Sequence, residues 1–217
     1  MKLLIPLCSV CVLLPLAASA ATTFSDTWNV STAIPDNDDV GFSDTRTLSV
    51  PGITVIESVT VELTFAGGWN GDLYAYLVHS DGFSTGFSVL LNRPGRSVSE
   101  PDGSATVGMA ITFDDNAGSD IHTAIPMSGG AVSGVFQPDG RTTDPLLVLN
   151  SDARPAMLAT FAGMNANGSW TLFVADQSAG STATLQSWNL TVSGVPEPSS
   201  ALLGVLGFLL LLRRKRG

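Results

Sequence analysis

The stretch FAGMNANGSWTLFVADQSAGSTATLQSWNLTV, residues Phe161–Val192, decides the fold. Residues 170–175 are apolar or nearly so on both alternating faces, which is typical of a strand inside a sheet. Residues 187–192 alternate strictly between apolar and polar side chains, which predicts a strand with one buried face. Asn167-Gly168 and Ala179-Gly180 supply turns, because Gly and Asn tolerate positive φ angles.

The rest of the chain repeats this pattern of short strands and turns. Val59, Val61, Leu63 and Phe65 form the clearest alternating face. Further segments follow at intervals of roughly ten residues, including weaker strands near Ile121–Ile125 and Ala131–Phe136. No stretch of about ten residues has convincing helical periodicity. The sequence therefore predicts an all-β fold, an antiparallel sandwich.

The N-terminal segment, residues 1–20, is expected to be a signal peptide. Lys2 precedes an apolar run, and small residues end the segment, so cleavage is predicted between Ala20 and Ala21. The alternative is a buried N-terminal helix. Both cysteines, Cys8 and Cys11, lie inside this segment, so a processed protein would have no disulfide and no thiolate chemistry.

The predicted domain, residues 21–194, is strongly acidic. It contains five arginines, no lysine and eighteen acidic residues, a formal charge of −13. This charge argues against nucleic acid as a partner, because phosphates must be neutralised by basic side chains. It is compatible with simple solubility outside the cell or with binding of divalent cations.

Five segments, in their order along the chain, resemble a known family. They are GDLYAYLVHSDG, SVLLNRPG, ITFDDNA, FAGMNANGSWTLFVAD and LQSWNLTV, at residues 71–82, 88–95, 111–117, 161–176 and 185–192. Together they resemble the P domain, or P/Homo B domain, of subtilisin-like proprotein convertases. The resemblance implies a jelly-roll sandwich that acts beside a serine protease.

The C-terminal segment, residues 195–217, is similar to a PEP-CTERM sorting signal. Pro196, Glu197 and Pro198 precede a predicted short transmembrane helix at 199–212 and a basic tail at 213–216. The resemblance implies processing by an exosortase-type enzyme of the inner membrane, in a bacterium that makes exopolysaccharide. It predicts export, a transient membrane anchor and final residence at the cell surface or in the matrix. The alternative is a plain C-terminal anchor.

The sequence does not predict an enzyme. The Asp, His and Ser motifs of a subtilisin-like catalytic domain are absent, and so is the Gly-x-Ser-x-Gly nucleophile motif. The two histidines, His79 and His122, could serve a cryptic hydrolase in principle. His79 falls at the end of a predicted strand and His122 in a weak one, so neither is favoured as a catalytic residue.

Acidic residues near predicted turns suggest a possible calcium site. Asp114 and Asp115, which follow a strand, are the favoured pair, because calcium is bound by carboxylate-rich loops. A second cluster comprises Asp36, Asp38 and Asp39, while Asp72 and Asp176 stand at the junctions of strands and turns. The alternative is that these side chains accept local backbone N–H bonds, as Asp commonly does in turns.

Three functions follow as hypotheses. The first is a non-catalytic structural or binding module of the cell envelope or exopolysaccharide matrix, with Trp69 either a glycan-stacking platform or a cover for the end of the core. The second is an accessory domain that acts in trans on a subtilisin-like serine protease. The third is a cryptic hydrolase that depends on His79 or His122.

Overall fold

The computed structural model describes residues 21–50 and 52–195, which form a sandwich of two β-sheets. The strands are β1 (Thr22–Ala33), β2 (Asp38–Leu48), β3 (Val55–Trp69), β4 (Leu73–Ser80), β5 (Thr85–Asn92), β6 (Ala105–Phe113), β7 (Ser128–Gly129), β8 (Val132–Phe136), β9 (Gly168–Asp176) and β10 (Ala183–Val195). The helices are one α-helix, α1 (Ile121–Ala124), and two 3₁₀ turns, Asn70–Asp72 and Leu158–Phe161. The all-β prediction is confirmed, whereas jelly-roll connectivity stays a prediction.

The two sheets differ in size. The larger has the order β1-β10-β3-β6-β7, with β8 also paired to β6, and the smaller has the order β2-β9-β4-β5. Thr22 at the start of β1 pairs with Gly194 near the end of β10. The alternating apolar residues predicted for β3, including Val61 and Leu63, are fully buried between the sheets. Burial of these alternating faces is the main driving force for the fold.

The stretch quoted above forms β9 and β10, and these two strands lie in opposite sheets. β9 lies between β2 and β4, as expected for a strand with two apolar faces, and β10 lies between β1 and β3. Trp170 and Trp188 are buried at 0% and 1% exposure. Trp188 Nε1 donates to Asp44 Oδ2 of β2 at 2.8 Å, a bond that joins the two sheets.

The prediction of a strand near Ile121–Ile125 is wrong, because Ile121–Ala124 is a short helix. Asp120 caps it, with Oδ1 accepting from the backbone N–H of His122 at 3.0 Å. This helix lies in the connection from β6 to β7 and β8. Both of these strands pair with β6 in parallel, so the sheet is not wholly antiparallel. A crossover connection of this kind is what parallel pairing requires.

The predicted signal peptide, residues 1–20, and the predicted sorting segment from residue 196 onward lie outside the described residues. Ala21 is the first described residue and is exposed. Between residues 21 and 195, Pro51 apart, no helix has the length and hydrophobicity needed to cross a membrane.

Candidate functional site

A cleft of about 340 Å³ opens at one end of the sandwich, beside the end of β3. Trp69 forms one wall and Asp72 lies on another. The remaining lining comes from two loops, Asp102–Ala105 and Ser178–Ala179. The volume is in the range typical of small-ligand sites. The three loops that meet here connect β3 to β4, β5 to β6, and β9 to β10.

Two buried carboxyl groups at this end of the sandwich have an oxygen without a partner. Asp72 is 2% exposed and Asp176 is fully buried, and Asp176 pairs with Leu73, the residue after Asp72, in the β4–β9 ladder. Asp176 Oδ1 accepts from the backbone N–H of Ser178 at 3.1 Å. Oδ2 of each residue accepts no hydrogen bond from any residue that the structure describes. A buried charged group left unpaired in this way costs free energy.

Arg93 is the cation next to this pair. Its Nη2 lies 3.6 Å from Asp72 Oδ1, while its Nε donates to the carbonyl of Gly71 at 3.0 Å and its Nη2 to the carbonyl of Asp102 at 3.4 Å. The guanidinium therefore holds two of the cleft's loops together as well as partly balancing Asp72. A side chain at Gly71 is impossible here, because its Cβ would lie 2.4 Å from the Ser104 nitrogen.

The local charge is negative despite Arg93. Burial and the neighbouring Asp176 raise the pKa of Asp72 to about 7, and the Arg93 charge only partly opposes this. Burial also raises the pKa of Asp176. Asp36, from the second predicted acidic cluster, is close enough to contribute to both shifts, and its carboxylate accepts from the Gly180 N–H. The fold thus brings together acidic residues far apart in sequence.

Trp69 is 42% exposed. It is therefore neither a fully exposed stacking platform nor a fully buried cover for the end of the core. The inner edge of its ring packs on Gly180, where an added Cβ would lie 2.9 Å from ring atom Cζ3. Trp69 also lines the cleft.

A second charged cluster, around His122, is largely buried. His122 Nδ1 lies 2.7 Å from Asp139 Oδ2 and Nε2 lies 2.9 Å from the Arg96 carbonyl oxygen, both within hydrogen-bond distance. Arg141 forms ion pairs with Asp139 at 3.2 Å and with Asp120 at 2.8 Å. Every carboxylate oxygen of these two aspartates has a donor. The cluster resembles a catalytic dyad only in composition, because His122 and Asp139 are 0% exposed.

His79 is also in the core. It is fully buried and its ring stacks on Trp170, with centroids 3.9 Å apart. Its two ring nitrogens lie within hydrogen-bond distance of the carbonyl oxygens of Ser169, at 3.1 Å, and Asn165, at 2.7 Å. Neither histidine of the described chain is accessible to a substrate.

Asp114 and Asp115, the favoured calcium ligands, are adjacent but serve local hydrogen bonds. Asp114 Oδ1 accepts from the Asn116 backbone N–H at 2.8 Å. Asp115 accepts from the N–H groups of Leu158 at 3.0 Å and Ala159 at 2.6 Å, at the start of a 3₁₀ turn. Within residues 21–50 and 52–195, no group of three or more His, Cys, Asp or Glu side chains is arranged to hold a metal ion. Calcium binding stays a prediction.

Three residues of these clusters, Arg93, Asp139 and Arg141, are not identified from the sequence. Arg93 precedes Pro94-Gly95, and Asp139 and Arg141 flank Gly140, so all three stand in patterns typical of turns. An arginine directly after an apolar strand is a weak signal of a buried cation. Partners such as Asp72 and Asp120 are 21 residues away in sequence, so only the fold reveals them.

The outer face of the smaller sheet carries four half-buried aromatic rings, Tyr74, Tyr76, Phe87 and Phe173, which we call the aromatic face. Tyr76 and Phe173 stack with centroids 4.6 Å apart, and Phe87 lies 5.2 Å from Tyr76. These residues alternate with the buried core residues of β4 and β9. A contiguous aromatic surface of this kind is typical of a contact surface for a partner.

The family model of the proprotein convertase P-domain matches residues 130–192. This region, less than a third of the chain, contains β8, β9 and almost all of β10. It overlaps the last two segments on which the sequence resemblance rests. No curated protein sequence matches the chain.

Among solved structures, the chain is similar to the Aeromonas sobria serine protease. In its complex with the chaperone ORF2, the identity is 18%, the TM-score 0.45, and the match covers 81% of this chain and 27% of that one. For the protease solved alone, the identity is 17%, the TM-score 0.43 and the coverage 83% and 28%. The infectious bursal disease virus Gx strain structure gives 14% identity, a TM-score of 0.29 and coverage of 90% and 42%. The chain thus spans about a quarter of the length of the Aeromonas protein, and likenesses this low carry no argument about function.

Proposed function

We propose that this chain is a non-catalytic accessory domain that acts in trans on a serine protease. The observation that carries the proposal is the match of residues 130–192 to the proprotein convertase P-domain. The matched region includes an inner strand of each sheet, β9 and β10, so it concerns the centre of the fold. The burial of His79 and His122 further supports a role without catalysis.

The aromatic face supports a protein partner. Tyr76 and Phe173 present a stacked pair on the outer side of the smaller sheet. Aromatic residues are enriched where proteins contact each other, because they bury a large area at a low cost in side-chain entropy. In this proposal the catalytic domain of the protease covers the aromatic face.

The cellular setting is part of the same proposal and rests on the sequence. Residues 1–20 direct export, residues 195–217 direct sorting, and an exosortase-type enzyme at the inner membrane processes the Pro196-Glu197-Pro198 motif. The partner protease would then be exported too. The earlier expectation of a structural role in the envelope or matrix receives no support from the comparisons, and it is kept as the competing outcome of the test.

The test is retention of an active serine protease. The purified protein is immobilised and exposed to culture fluid of its own source organism, and retained proteins are labelled with a fluorophosphonate probe, which reacts with active serine hydrolases. We expect a labelled subtilisin-like protease that is lost with the Tyr76→Ser/Phe173→Ser variant and retained with an Asp39→Ser control at an exposed position of β2. Retention of exopolysaccharide, with no labelled protease, would favour the matrix role and contradict the proposal.

A further inference from the structure

We propose that the cleft beside Trp69 receives the side chain of an arginine from a partner protein. This inference concerns a different surface from the aromatic face, and it does not depend on the partner being a protease. It rests on three features of the cleft, namely an unpartnered carboxyl oxygen, an aromatic wall and the charge of the surrounding loops.

The carboxyl oxygen is Asp72 Oδ2. Asp72 lines the cleft, is 2% exposed, and has no hydrogen-bond donor for this oxygen within the described chain. Arg93 is the cation nearest to it, but Arg93 approaches the other oxygen, at 3.6 Å, and its nitrogens already bond to the carbonyls of Gly71 and Asp102. A guanidinium entering the cleft would supply the missing donor and a compensating charge.

The aromatic wall is Trp69. Its ring packs on Gly180 along one edge, the residue is 42% exposed, and it lines the cleft. A planar, weakly hydrated guanidinium stacks on an indole ring more favourably than a compact ammonium, which keeps its hydration shell. The wall and the carboxyl oxygen together therefore suit arginine better than lysine.

The surrounding charge is complementary to a cation. Asp36, Asp102 and Asp176 all contribute to the raised pKa of Asp72, so a positive ligand would relieve repulsion among them. Calcium fits less well, because it requires six to eight oxygens and no described cluster offers three ligand side chains together. An apolar wall beside the carboxyl group also contributes nothing to binding a hydrated metal ion.

The arginine must come from outside the described domain. Each of its five arginines is already engaged in the fold: Arg46 with Asp44, Arg93 as above, Arg96 with the carbonyls of Leu146 and Val148, and Arg141 and Arg154 with Asp120. The basic residues at 213–216 of the chain itself are the competing source.

Isothermal titration of the purified full chain with N-acetyl-L-arginine methylamide tests the proposal. At about pH 8 we expect saturable binding that weakens at least tenfold for Trp69→Ala. Asp72→Asn should abolish binding. The wild-type affinity should fall about tenfold or more by about pH 5.5, because Asp72 becomes protonated while Arg93 stays charged. Val107→Ala, opposite Trp69 in the β3–β6 pair, is the matched control and should bind normally.

Other outcomes would overturn the inference. Absence of binding at about pH 8 would do so, and so would equal affinity for the lysine analogue. Binding of calcium chloride that depends on Asp72 but not on Trp69 would identify a metal site instead. Probe binding that becomes at least tenfold tighter when residues 213–216 are all replaced by serine would show that the chain's own tail fills the cleft. None of these outcomes changes what the protease-retention experiment would show about the proposed function.

Discussion

The sandwich contains two buried acidic clusters that differ in how completely they are satisfied. Around His122, both carboxylate oxygens of Asp139 and of Asp120 have donors, and Arg141 lies between the two carboxylates. Around the cleft, Asp72 and Asp176 each keep one oxygen that has no partner among the described residues. In the closed cluster every carboxylate oxygen has a donor, and only Arg141 Nε is left without a partner in the described part of the chain. In the open cluster Arg93 only partly balances the carboxyl groups, so this cluster has the properties of a binding site.

The largest expected effect comes from breaking the closed cluster. Asp139→Ala would leave Arg141 buried and only partly paired, which should lower the free energy of unfolding by about 3–5 kcal/mol. Urea unfolding at neutral pH, followed by tryptophan fluorescence, measures this change. Asp39→Ala, at an exposed position near the start of β2, serves as the control and should leave the midpoint nearly unchanged. Equal losses of unfolding free energy in Asp139→Ala and Asp39→Ala would contradict the importance assigned to the closed cluster.

The next-largest effect is expected in the open cluster, where replacing Asp72 should raise the free energy of unfolding rather than lower it. The pKa of Asp72 is about 7 in the folded protein and near 3.8 in the unfolded chain, so the folded state binds more protons between these values. Stability should therefore fall as the pH rises from about 4 to about 7. Asp72→Asn removes this loss, and after allowance for solvent screening it should stabilise the protein by roughly 1–2 kcal/mol at about pH 8.

Urea midpoints of the wild type and Asp72→Asn across this pH range check the prediction. Near pH 4 the two proteins should be almost equally stable, because the wild-type carboxyl is then protonated. A variant that is less stable than the wild type at pH 8 would mean that Asp72 is satisfied in a way the structure does not show.

A smaller loss of stability is expected when the predicted calcium ligands, Asp114 and Asp115, are replaced. Asp115→Ala removes the acceptor for the N–H groups of Leu158 and Ala159, which should cost about 1 kcal/mol. Asp114→Ala loses only bonds from Asn116 and should cost less. Thermal unfolding with and without millimolar calcium measures both. If calcium raises the wild-type midpoint and either substitution removes the rise, these residues bind the metal as the sequence predicts.

The smallest effect is expected at Asp81, an exposed carboxylate that is fully satisfied. Backbone N–H bonds from Ser84 and Phe83 lower its pKa to about 2. Its contribution to stability should be present above about pH 4 and lost as the pH falls toward 2, the reverse of Asp72. Asp81→Asn should therefore reduce the urea midpoint slightly at neutral pH. The difference between variant and wild type should vanish near pH 2.

The strands could be predicted from the sequence because their signal is local. Alternation at residues 59–65 and 187–192 reports directly which face is buried, and the structure confirms both. The helix at Ile121–Ala124 was missed because four residues are too few to show a period, and Asp120 as its cap is a weak signal alone. The pairing of β9 and β10 with different neighbours also depends on long-range contacts.

The sequence identifies residues of the candidate site one by one, but it does not predict that they lie together. Asp72, Asp176, Asp36 and Trp69 were each singled out, but their proximity follows from loops that lie far apart in the sequence. Asp114 and Asp115 drew attention because they are adjacent and acidic, yet their carboxylates bond to backbone N–H groups. Whether a carboxylate is satisfied depends on donors elsewhere in the chain, such as Leu158, and sequence reasoning cannot count these.

The pairing of Thr22 with Gly194 has a mechanical consequence. Because β1 and β10 are antiparallel neighbours, the two ends of the sandwich leave it at the same point. A force that pulls these ends apart would load the inter-strand hydrogen bonds one after another, as in opening a zipper, rather than all together. The sandwich is therefore expected to peel open from this edge at low force, with β1 leaving first. If only the C-terminal side is tethered, the same geometry puts no tension across the fold.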